Sequence, residues 1–350
     1  MEVVVAGGGV IGLLSALRLS QHGHHVTVLE PSEPGSEASW AAAGILGAQS
    51  EADGPGPMLD LCRRSLALYP ALADELGDIG YSRCGALHVA FTEAEAADLR
   101  RQLTWQSAAG LRAELRGAAG AALALWQPDD AVVDNRKLTR AVRTRLEELR
   151  VHVVQDRACR IHFSAGSVSG VETEDGFMRA QIVVVAAGAW SARIVGSAIA
   201  ADALLPVRGQ MIAYDAPPPP HVIFGAGGYV VPRGRRTLVG ATVERAGFDK
   251  RTTRHGLEFL RAVGARLVPE LARLEPVDHW AGLRPGTRDG LPLLGFTSPG
   301  VVVATGHYRN GILLAPVTAE LVVQLVEGKT PDLGAFAPER FGDSPIPTGL

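Results

Sequence analysis

Residues 2–12 read EVVVAGGGVIG, an apolar strand that runs directly into a cluster of glycines. Gly7, Gly9 and Gly12 have the GxGxxG spacing, and a helical pattern over 10–22 and a second strand at 25–30 follow them. In such a turn the first glycine allows the tight bend, the second lets the backbone approach a pyrophosphate, and the third lets the helix pack against the strand. This order predicts the opening of a Rossmann-type dinucleotide-binding unit.

The second strand ends in Glu30, where a carboxylate can accept hydrogen bonds from an adenosine ribose. An acidic group at this position disfavours a 2′-phosphate and therefore argues against NADP. The aligned N–H groups at the start of the helix, at Val10 and Ile11, favour an anion. We therefore expect Gly7, Gly9, Val10, Ile11, Gly12 and Glu30 to bind the dinucleotide.

Two later strands also end in glycine. Residues 183–188 read VVVAAG and residues 301–306 read VVVATG, and both resemble the segments that FAD-binding Rossmann domains return to their sheet late in the chain. An extended cofactor that spans the sheet requires such late segments. The pattern therefore favours FAD and predicts a discontinuous FAD-binding domain made of residues 1–78, 135–206 and 279–341.

The middle of the chain has a different character. Residues 207–214 and 222–244 alternate or run apolar between turn signals, which is typical of antiparallel strands and hairpins. We expect residues 79–134 and 207–278 to form a second, largely antiparallel-sheet substrate domain. The fold class is then α/β with two domains, and residues 342–350 are expected to be a disordered tail.

The composition excludes several functions. The 350 residues are 47% hydrophobic and carry a net charge of −3, which gives no general attraction to nucleic acid. The apolar run at 182–189 is far shorter than the ~20 residues of a membrane span. The start of the chain has no signal-peptide pattern, and the three cysteines fit neither a disulfide framework nor a zinc site. These features predict a cytoplasmic protein without a metal centre or a membrane association.

Three motifs carry a resemblance to a known family. Residues 306–316 read GHYRNGILLAP, residues 280–290 read WAGLRPGTRDG, and residues 41–48 read AAAGILGA. In this order they resemble the D-amino-acid oxidase family of flavoproteins and, within it, the thiamine-pathway glycine oxidases. The resemblance extends from Met1 to about Phe341.

The resemblance implies non-covalent FAD and the oxidative deamination of glycine or another small amino acid or secondary amine. The products are a 2-oxo acid, ammonia or an amine, and hydrogen peroxide from O2, possibly in the service of thiamine biosynthesis. It also implies further FAD contacts, at Ser39, Ala43, Gly44, Ile45, Gly188, Gly306, His307, Tyr308, Arg309, Asn310, Gly311, Ile312 and Leu313.

Three residues are candidates for substrate binding. Arg284 precedes a Pro-Gly turn, and a guanidinium in a dry pocket binds a carboxylate through two parallel hydrogen bonds. The resemblance implies this role for Arg284 and places Arg309 near substrate and flavin, although Arg309 could instead position the flavin or pair with an acid. Tyr229 either contacts the substrate or packs in the core. Gly227 stands where relatives often carry histidine, which puts the substrate range in doubt.

Other questions stay open from the sequence. A dehydrogenase of the same fold would pass electrons to a quinone or a partner protein, and a flavoprotein module acting on tRNA is a second alternative. The preferred amine among glycine, sarcosine and small D-amino acids is undetermined, as is the oligomeric state, for which a homo-oligomer is possible. Arg233, Arg235 and Arg236 flank a hairpin and are interpreted as exposed charges.

Overall fold

The computed structural model describes residues 1–117 and 120–341, so the predicted disordered tail at 342–350 lies outside the described residues. The chain forms two compact units. Unit 1 contains residues 1–40, 139–206 and 284 onward, and unit 2 contains residues 41–138 and 207–283. Residues 41–78, which the sequence assigns to the FAD-binding domain, belong to unit 2.

Helices occur close to the positions that the sequence pattern predicts. Their bounds are α1 Val10–Gln21, α2 Ala38–Ala41, α3 Pro57–Leu76, α4 Glu93–Ala108, α5 Asn135–Glu148, α6 Arg254–Leu267 and α7 Gly311–Val326.

The strands form three larger sheets and one two-stranded ladder. Their bounds are β1 Glu2–Ala6, β2 His25–Leu29, β3 Ile45–Leu46, β4 Ala86–Ala90, β5 Glu114–Arg116, β6 Leu123–Gln127, β7 Ala131–Val132, β8 His152–Val154, β9 Ala158–Ser164, β10 Ser167–Thr173, β11 Phe177–Arg179, β12 Ile182–Val185, β13 Leu204–Tyr214, β14 Val222–Gly225, β15 Gly228–Arg233, β16 Arg236–Gly240, β17 Asp278–Thr287, β18 Leu293–Ser298 and β19 Val301–Thr305.

Unit 1 is built on a six-stranded sheet in the order β18-β19-β12-β1-β2-β8. All neighbouring pairs are parallel except β18 and β19. Its central strands are continuous valine runs because both faces of a parallel sheet are covered, and Val183, Val184 and Val185 are 0% exposed. The predicted Rossmann-type fold is confirmed.

Helices α1 and α7 pack against each other beside this sheet. Among the described residues, one helical stretch, Tyr308–Val326, is long and apolar enough to cross a membrane by length and composition. Its side chains are largely buried within unit 1, from Ile312 to Val326. This stretch therefore packs as a core helix of the sheet.

Unit 1 also contains a sheet that the sequence reading missed. Strands β9, β10 and β11 form an antiparallel three-stranded sheet, in which Val171 of the central strand pairs with Ile161 on one side and Met178 on the other. Ile161 and Val171 are buried in the same cluster as Val183 and Val303 of the main sheet. The small sheet thus covers part of the main hydrophobic core.

Unit 2 is built on an eight-stranded sheet in the order β17-β13-β16-β15-β14-β4-β6-β5. Five of its seven neighbouring pairs are antiparallel and the pair of β14 and β4 is parallel, which confirms the expected, largely antiparallel sheet. One face packs on α6 through Ile212, Val230 and Val239. The other face carries Tyr229 and packs on the segment that contains Ala41, Ala43 and Ile45.

Candidate active site

The glycine turn after β1 depends on close backbone contacts. Gly7 has φ of 116°, and a Cβ at this position would lie 2.5 Å from the carbonyl oxygen of Ala186, at the end of β12. A Cβ at Gly12 would collide with the carbonyl oxygen of Gly7, so α1 packs directly on the turn. These two glycines are therefore required by the packing of unit 1.

Glu30 is joined to the same turn. Its Oε2 accepts a 2.8 Å hydrogen bond from the N–H of Gly8, and its Oε1 accepts one of 3.0 Å from the N–H of Ser32. Partial burial raises the pKa of Glu30, although the two N–H donors oppose this shift. A carboxylate held in this way still has lone pairs that can accept hydrogen bonds from a ribose.

The start of α1 has one donor occupied and no competing acid. Ser39 Oγ accepts a 2.9 Å hydrogen bond from the N–H of Val10. The N-cap residue Gly9 has no side chain, and no acidic residue lies in the first turn. The first turn of α1 thus carries no carboxylate of its own, which suits an anion site at a helix N-terminus.

The carboxyl ends of the glycine-terminated strands lie together. The N–H of Ala186 donates a 2.8 Å hydrogen bond to Ala6, which joins the ends of β12 and β1. The hydroxyl of Thr305 donates one of 3.0 Å to the carbonyl oxygen of Gly188, and Ser191 Oγ lies 3.1 Å from Thr305 Oγ1. Gly7, Gly188 and Gly306 therefore follow strands that end at one edge of the sheet, where ligands of open α/β sheets bind.

The segment after β19 leads into α7. His307 is buried and its Nε2 lies 3.0 Å from Thr318 Oγ1, so its side chain is engaged within unit 1. Burial lowers the pKa of His307 to about 3, and the ring is neutral at physiological pH. Asn310 precedes α7, and its buried Oδ1 has no hydrogen-bond partner in the described structure. The side chains of Ile312 and Leu313 are buried.

These features fit FAD. A dinucleotide requires close backbone approach at a glycine turn, a helix N-terminus for the pyrophosphate and a strand-end carboxylate for the ribose. Unit 1 supplies all three at Gly7–Gly9, Val10 and Glu30, and the unpartnered Asn310 oxygen is one further acceptor. The individual contacts of the other predicted FAD residues stay predictions.

Arg284 lies within β17 and is half-buried. The predicted Pro-Gly turn is wrong, because Pro285 and Gly286 continue β17 as far as Thr287. The turn comes after the strand and is fixed by Asp289, which accepts hydrogen bonds from Arg340 Nε at 2.7 Å and from the N–H of Leu291 at 3.1 Å. Thr287 Oγ1 donates a 2.7 Å hydrogen bond to Leu291. The strand that carries Arg284 is therefore firmly held at its end.

Arg309 is exposed, and its guanidinium lies 5.2 Å from the centre of the Tyr308 ring. Tyr308 has φ of 47°, an uncommon backbone conformation for a residue with a side chain. The predicted roles of Arg284 and Arg309 toward a substrate stay predictions.

Tyr229 of unit 2 lies in a row of directly paired residues across four strands. Met211 pairs with Gly240, Gly240 with Tyr229, and Tyr229 with Phe224. The Tyr229 hydroxyl donates to Met211 Sδ at 3.5 Å, across Gly240, and a Cβ at Gly240 would collide with both side chains. Tyr229 thus packs on the sheet while its hydroxyl reaches the next strand but one.

Gly227 lies in the two-residue turn between β14 and β15, with φ of 79°. A Cβ there would meet the Phe259 ring at 3.5 Å, so the room left by the missing side chain is bounded by an aromatic ring of α6.

The interpretation of Arg233 as an exposed charge is wrong. Its side chain is 13% exposed, its Nη2 donates a 2.6 Å hydrogen bond to the carbonyl oxygen of Ala43, and its Nη1 lies 3.4 Å from Asp134. Arg235 and Arg236 are exposed as expected. Alternation along β15 could have identified the error, because Tyr229, Val231 and Arg233 share the face that packs on Ala43.

Trp280 was missed as a site residue, although it lies in one of the three motifs. Its indole N–H donates a 2.9 Å hydrogen bond to the carbonyl oxygen of Ala41. Thr305 and Ser191 were missed as well, because hydroxyls that join strand ends leave no pattern in a sequence.

Over residues 1–117 and 120–341, no group of three or more His, Cys, Asp or Glu side chains is arranged to hold a metal ion.

Comparisons with known proteins agree with this geometry. Residues 2–325 match the family model described as FAD dependent oxidoreductase. The chain is 38% identical to glycine oxidase of Geobacillus kaustophilus, over 97% of each protein. It is 36% identical to the bifunctional protein ThiO/ThiG of Synechocystis, over 97% of this chain but 54% of that protein.

A solved structure shows the same fold. The crystal structure of glycine oxidase from Geobacillus kaustophilus superposes with a TM-score of 0.91 at 36% identity, covering 97% of this chain and 98% of the other. The glycine turn, the strand-end carboxylate and the late strands therefore occur in a chain whose whole length matches FAD-binding relatives. This protein belongs to the D-amino-acid oxidase family of FAD-dependent oxidoreductases.

Proposed function

We propose that this protein is a glycine oxidase that uses O2 as its electron acceptor. The observation that carries the proposal is the likeness to glycine oxidase of Geobacillus kaustophilus, which covers nearly the whole of both chains. A dehydrogenase of the same fold and a module acting on tRNA have no comparable support, and the net charge of −3 disfavours the latter.

The reaction consumes one amino acid, one O2 and one water. The Cα–H and N–H bonds of glycine are broken, two electrons and two protons leave, and the resulting C=N bond is hydrolysed to a 2-oxo acid and ammonia. The two electrons and two protons convert O2 to hydrogen peroxide. When bound, FAD supplies the two-electron chemistry that amino-acid side chains lack.

The protein positions both partners. Glu30 would accept hydrogen bonds from the ribose hydroxyls, the start of α1 would face the pyrophosphate, and Gly188 and residues 306–313 would supply backbone groups to the cofactor. Ala43, Gly44 and Ile45 would supply further backbone groups. All of these are proposed contacts, supported by the fit of the strand ends and the glycine turn to a dinucleotide.

Arg284 is proposed to bind the substrate carboxylate by its planar fork, which orients the Cα–H bond. Its place in a strand with a fixed end supports this role, because a carboxylate clamp must not move. Tyr229 is proposed to border the amine pocket, and Arg309 to lie beside substrate and flavin.

The likeness to ThiO/ThiG proteins supports a role in thiamine biosynthesis. We further propose that the enzyme is cytoplasmic and assembles as a homo-oligomer.

The first test is direct. The purified protein is expected to be yellow, to release intact FAD on heating, and to form hydrogen peroxide and a 2-oxo acid in equal amounts from glycine in air. A folded protein that takes up no FAD would refute the proposal, and turnover that needs a quinone would favour the dehydrogenase.

A further inference from the structure

The segment Ala41–Gly44 is held by three donors from three different parts of unit 2. The Trp280 indole N–H donates to the carbonyl oxygen of Ala41 at 2.9 Å. Arg233 Nη2 donates to that of Ala43 at 2.6 Å, and the N–H of Val133 donates to that of Gly44 at 2.8 Å. Three of the four carbonyl groups in this segment are therefore fixed by protein donors.

Each of the two side-chain donors has its own support. Asp134 pairs with Arg233, and its Oδ1 also accepts the backbone N–H of Arg136 at 3.0 Å at the start of α5. The Arg136 guanidinium lies 4.9 Å from the centre of the Trp280 ring. Asp134 thereby supports Arg233, and the Arg136 side chain packs on Trp280.

The segment has no room to relax. Gly44 has φ of 77°, and a Cβ there would collide with the carbonyl oxygen of Val133 and lie 3.1 Å from Arg233 Nη2. Ala43 is 8% exposed. Among the described residues, Arg233 donates to the carbonyl oxygen of Ala43 and the N–H of Val133 to that of Gly44. Because a peptide unit is planar, fixing a carbonyl oxygen also fixes the direction of the next residue's N–H.

We propose that Arg233 and Trp280 are positioning residues for the cofactor. Trp280 holds the carbonyl group of Ala41 at the end of α2, and Arg233 holds that of Ala43 and thereby orients the N–H of Gly44 toward FAD. The inference rests on the proposed function, which makes this segment a flavin contact. A buried Arg233 is better suited to this task than lysine, since its fork reaches Ala43 and Asp134 at once.

The test uses Arg233→Met, Arg233→Lys and Trp280→Phe in the full-length chain. Arg236→Met is the matched control, because Arg236 pairs with Arg233 across the same hairpin and is exposed. Four quantities are measured: the Tm of the apoprotein, the Kd for FAD from quenching of flavin fluorescence, and the absorption spectrum and midpoint potential of the bound flavin.

We expect the Kd for FAD to rise about 10- to 100-fold in Arg233→Met and in Trp280→Phe, as for the loss of one charged or buried hydrogen bond. The bound flavin should have an altered spectrum and potential even at saturating FAD. Arg233→Lys should recover part of the affinity, and Arg236→Met should stay within about twofold of wild type.

Unchanged FAD affinity and an unchanged flavin spectrum in folded Arg233→Met would overturn the proposal, as would a lowered Tm alone. If Arg233→Met does not fold, Trp280→Phe decides by the same criteria. Failure of the proposed function itself would appear elsewhere, as a wild-type protein that binds no FAD or makes no peroxide from glycine.

Discussion

Glu30 Oε2 accepts a 2.8 Å hydrogen bond from the N–H of Gly8, so the residue that follows β2 is fastened to the turn that follows β1. The same carboxylate is the proposed ribose acceptor. A single side chain is therefore bonded to the glycine turn and is also the proposed contact for the adenosine end of the cofactor. Changes at Glu30 should accordingly act on cofactor affinity and leave the chemistry at the flavin ring intact.

Glu30→Ala is expected to weaken FAD binding about 10- to 150-fold, because charged hydrogen bonds contribute about 1.5–3 kcal/mol each. At saturating FAD, kcat for glycine should stay near the wild-type value. Fluorescence titration of the apoprotein measures the affinity, and a peroxide assay measures kcat. Turnover that excess FAD does not restore in a folded variant would show that Glu30 has another role.

Gly12→Ala is expected to destabilise the protein by about 2–4 kcal/mol and to abolish FAD retention, since the new Cβ collides with the Gly7 carbonyl oxygen. The sign is informative, because alanine is normally favoured over glycine inside a helix by about 1 kcal/mol. Gly54→Ala is the control: a Cβ there meets nothing within 4 Å, and its effect should stay within about 0.5 kcal/mol. Urea unfolding measures both.

Arg284→Ala is expected to retain FAD and to lose about 2–4 kcal/mol of transition-state stabilisation, or roughly 30- to 1000-fold in kcat/KM. Arg284→Lys should recover only part, because an ammonium cannot form the planar fork. Benzoate and glycolate should perturb the flavin spectrum of the wild type only. If the FAD-loaded alanine variant binds these anions and oxidises glycine normally, Arg284 is structural.

Asp130 should make the protein less stable as the pH rises. It is fully buried, and burial raises its pKa to about 6, against the opposing hydrogen bonds from the N–H groups of Gln49 and Ser50. A raised pKa gives stability that is complete below the unfolded value of 3.8 and is lost as the pH rises through about 6.

The variant Asp130→Asn removes this titration. Its free energy of unfolding relative to the wild type should become more favourable by up to about 3 kcal/mol between pH 4 and pH 8. Histidine titrations common to both proteins cancel in the difference. A difference that does not change with pH would mean that Asp130 titrates normally.

His307 should have the opposite effect. Because burial lowers its pKa to about 3, its contribution is complete above the unfolded value of 6.5 and is lost as the pH falls toward 3. At pH 4.5 this loss amounts to about 3 kcal/mol. His307→Gln can still bond to Thr318. Its free energy of unfolding, measured by urea titration at a series of fixed pH values, should fall less steeply than that of the wild type as the pH drops below 6.5.

The sequence predicted the parts of unit 1 that depend on local pattern. Gly7, Gly12 and Glu30 could be placed because a tight turn, a close helix and a strand end each restrict the residue type. The two later valine runs were recognisable for the same reason, since both faces of a parallel strand are apolar.

The rest depends on contacts between distant segments. Arg233 and Ala43 are separated by 190 residues, and nothing in the sequence near Arg233 indicates that its side chain bonds to a carbonyl oxygen so far away in the chain. The three-stranded sheet β9-β10-β11 was missed because many of its residues are polar or exposed, such as Phe177, so no continuous apolar run indicates it. The grouping of residues 41–78 with unit 2 likewise follows from packing and leaves no local signal.

The hydroxyl of Thr305 donates a hydrogen bond to the carbonyl oxygen of Gly188 and lies beside the hydroxyl of Ser191. These links use protein atoms alone, so the strand ends that are proposed to bind FAD are joined without it. A binding site that is already ordered loses little conformational entropy when its ligand binds. Stripped of FAD, the protein should therefore accept flavin analogues, such as deaza- or halogenated forms, by simple mixing and without a refolding step.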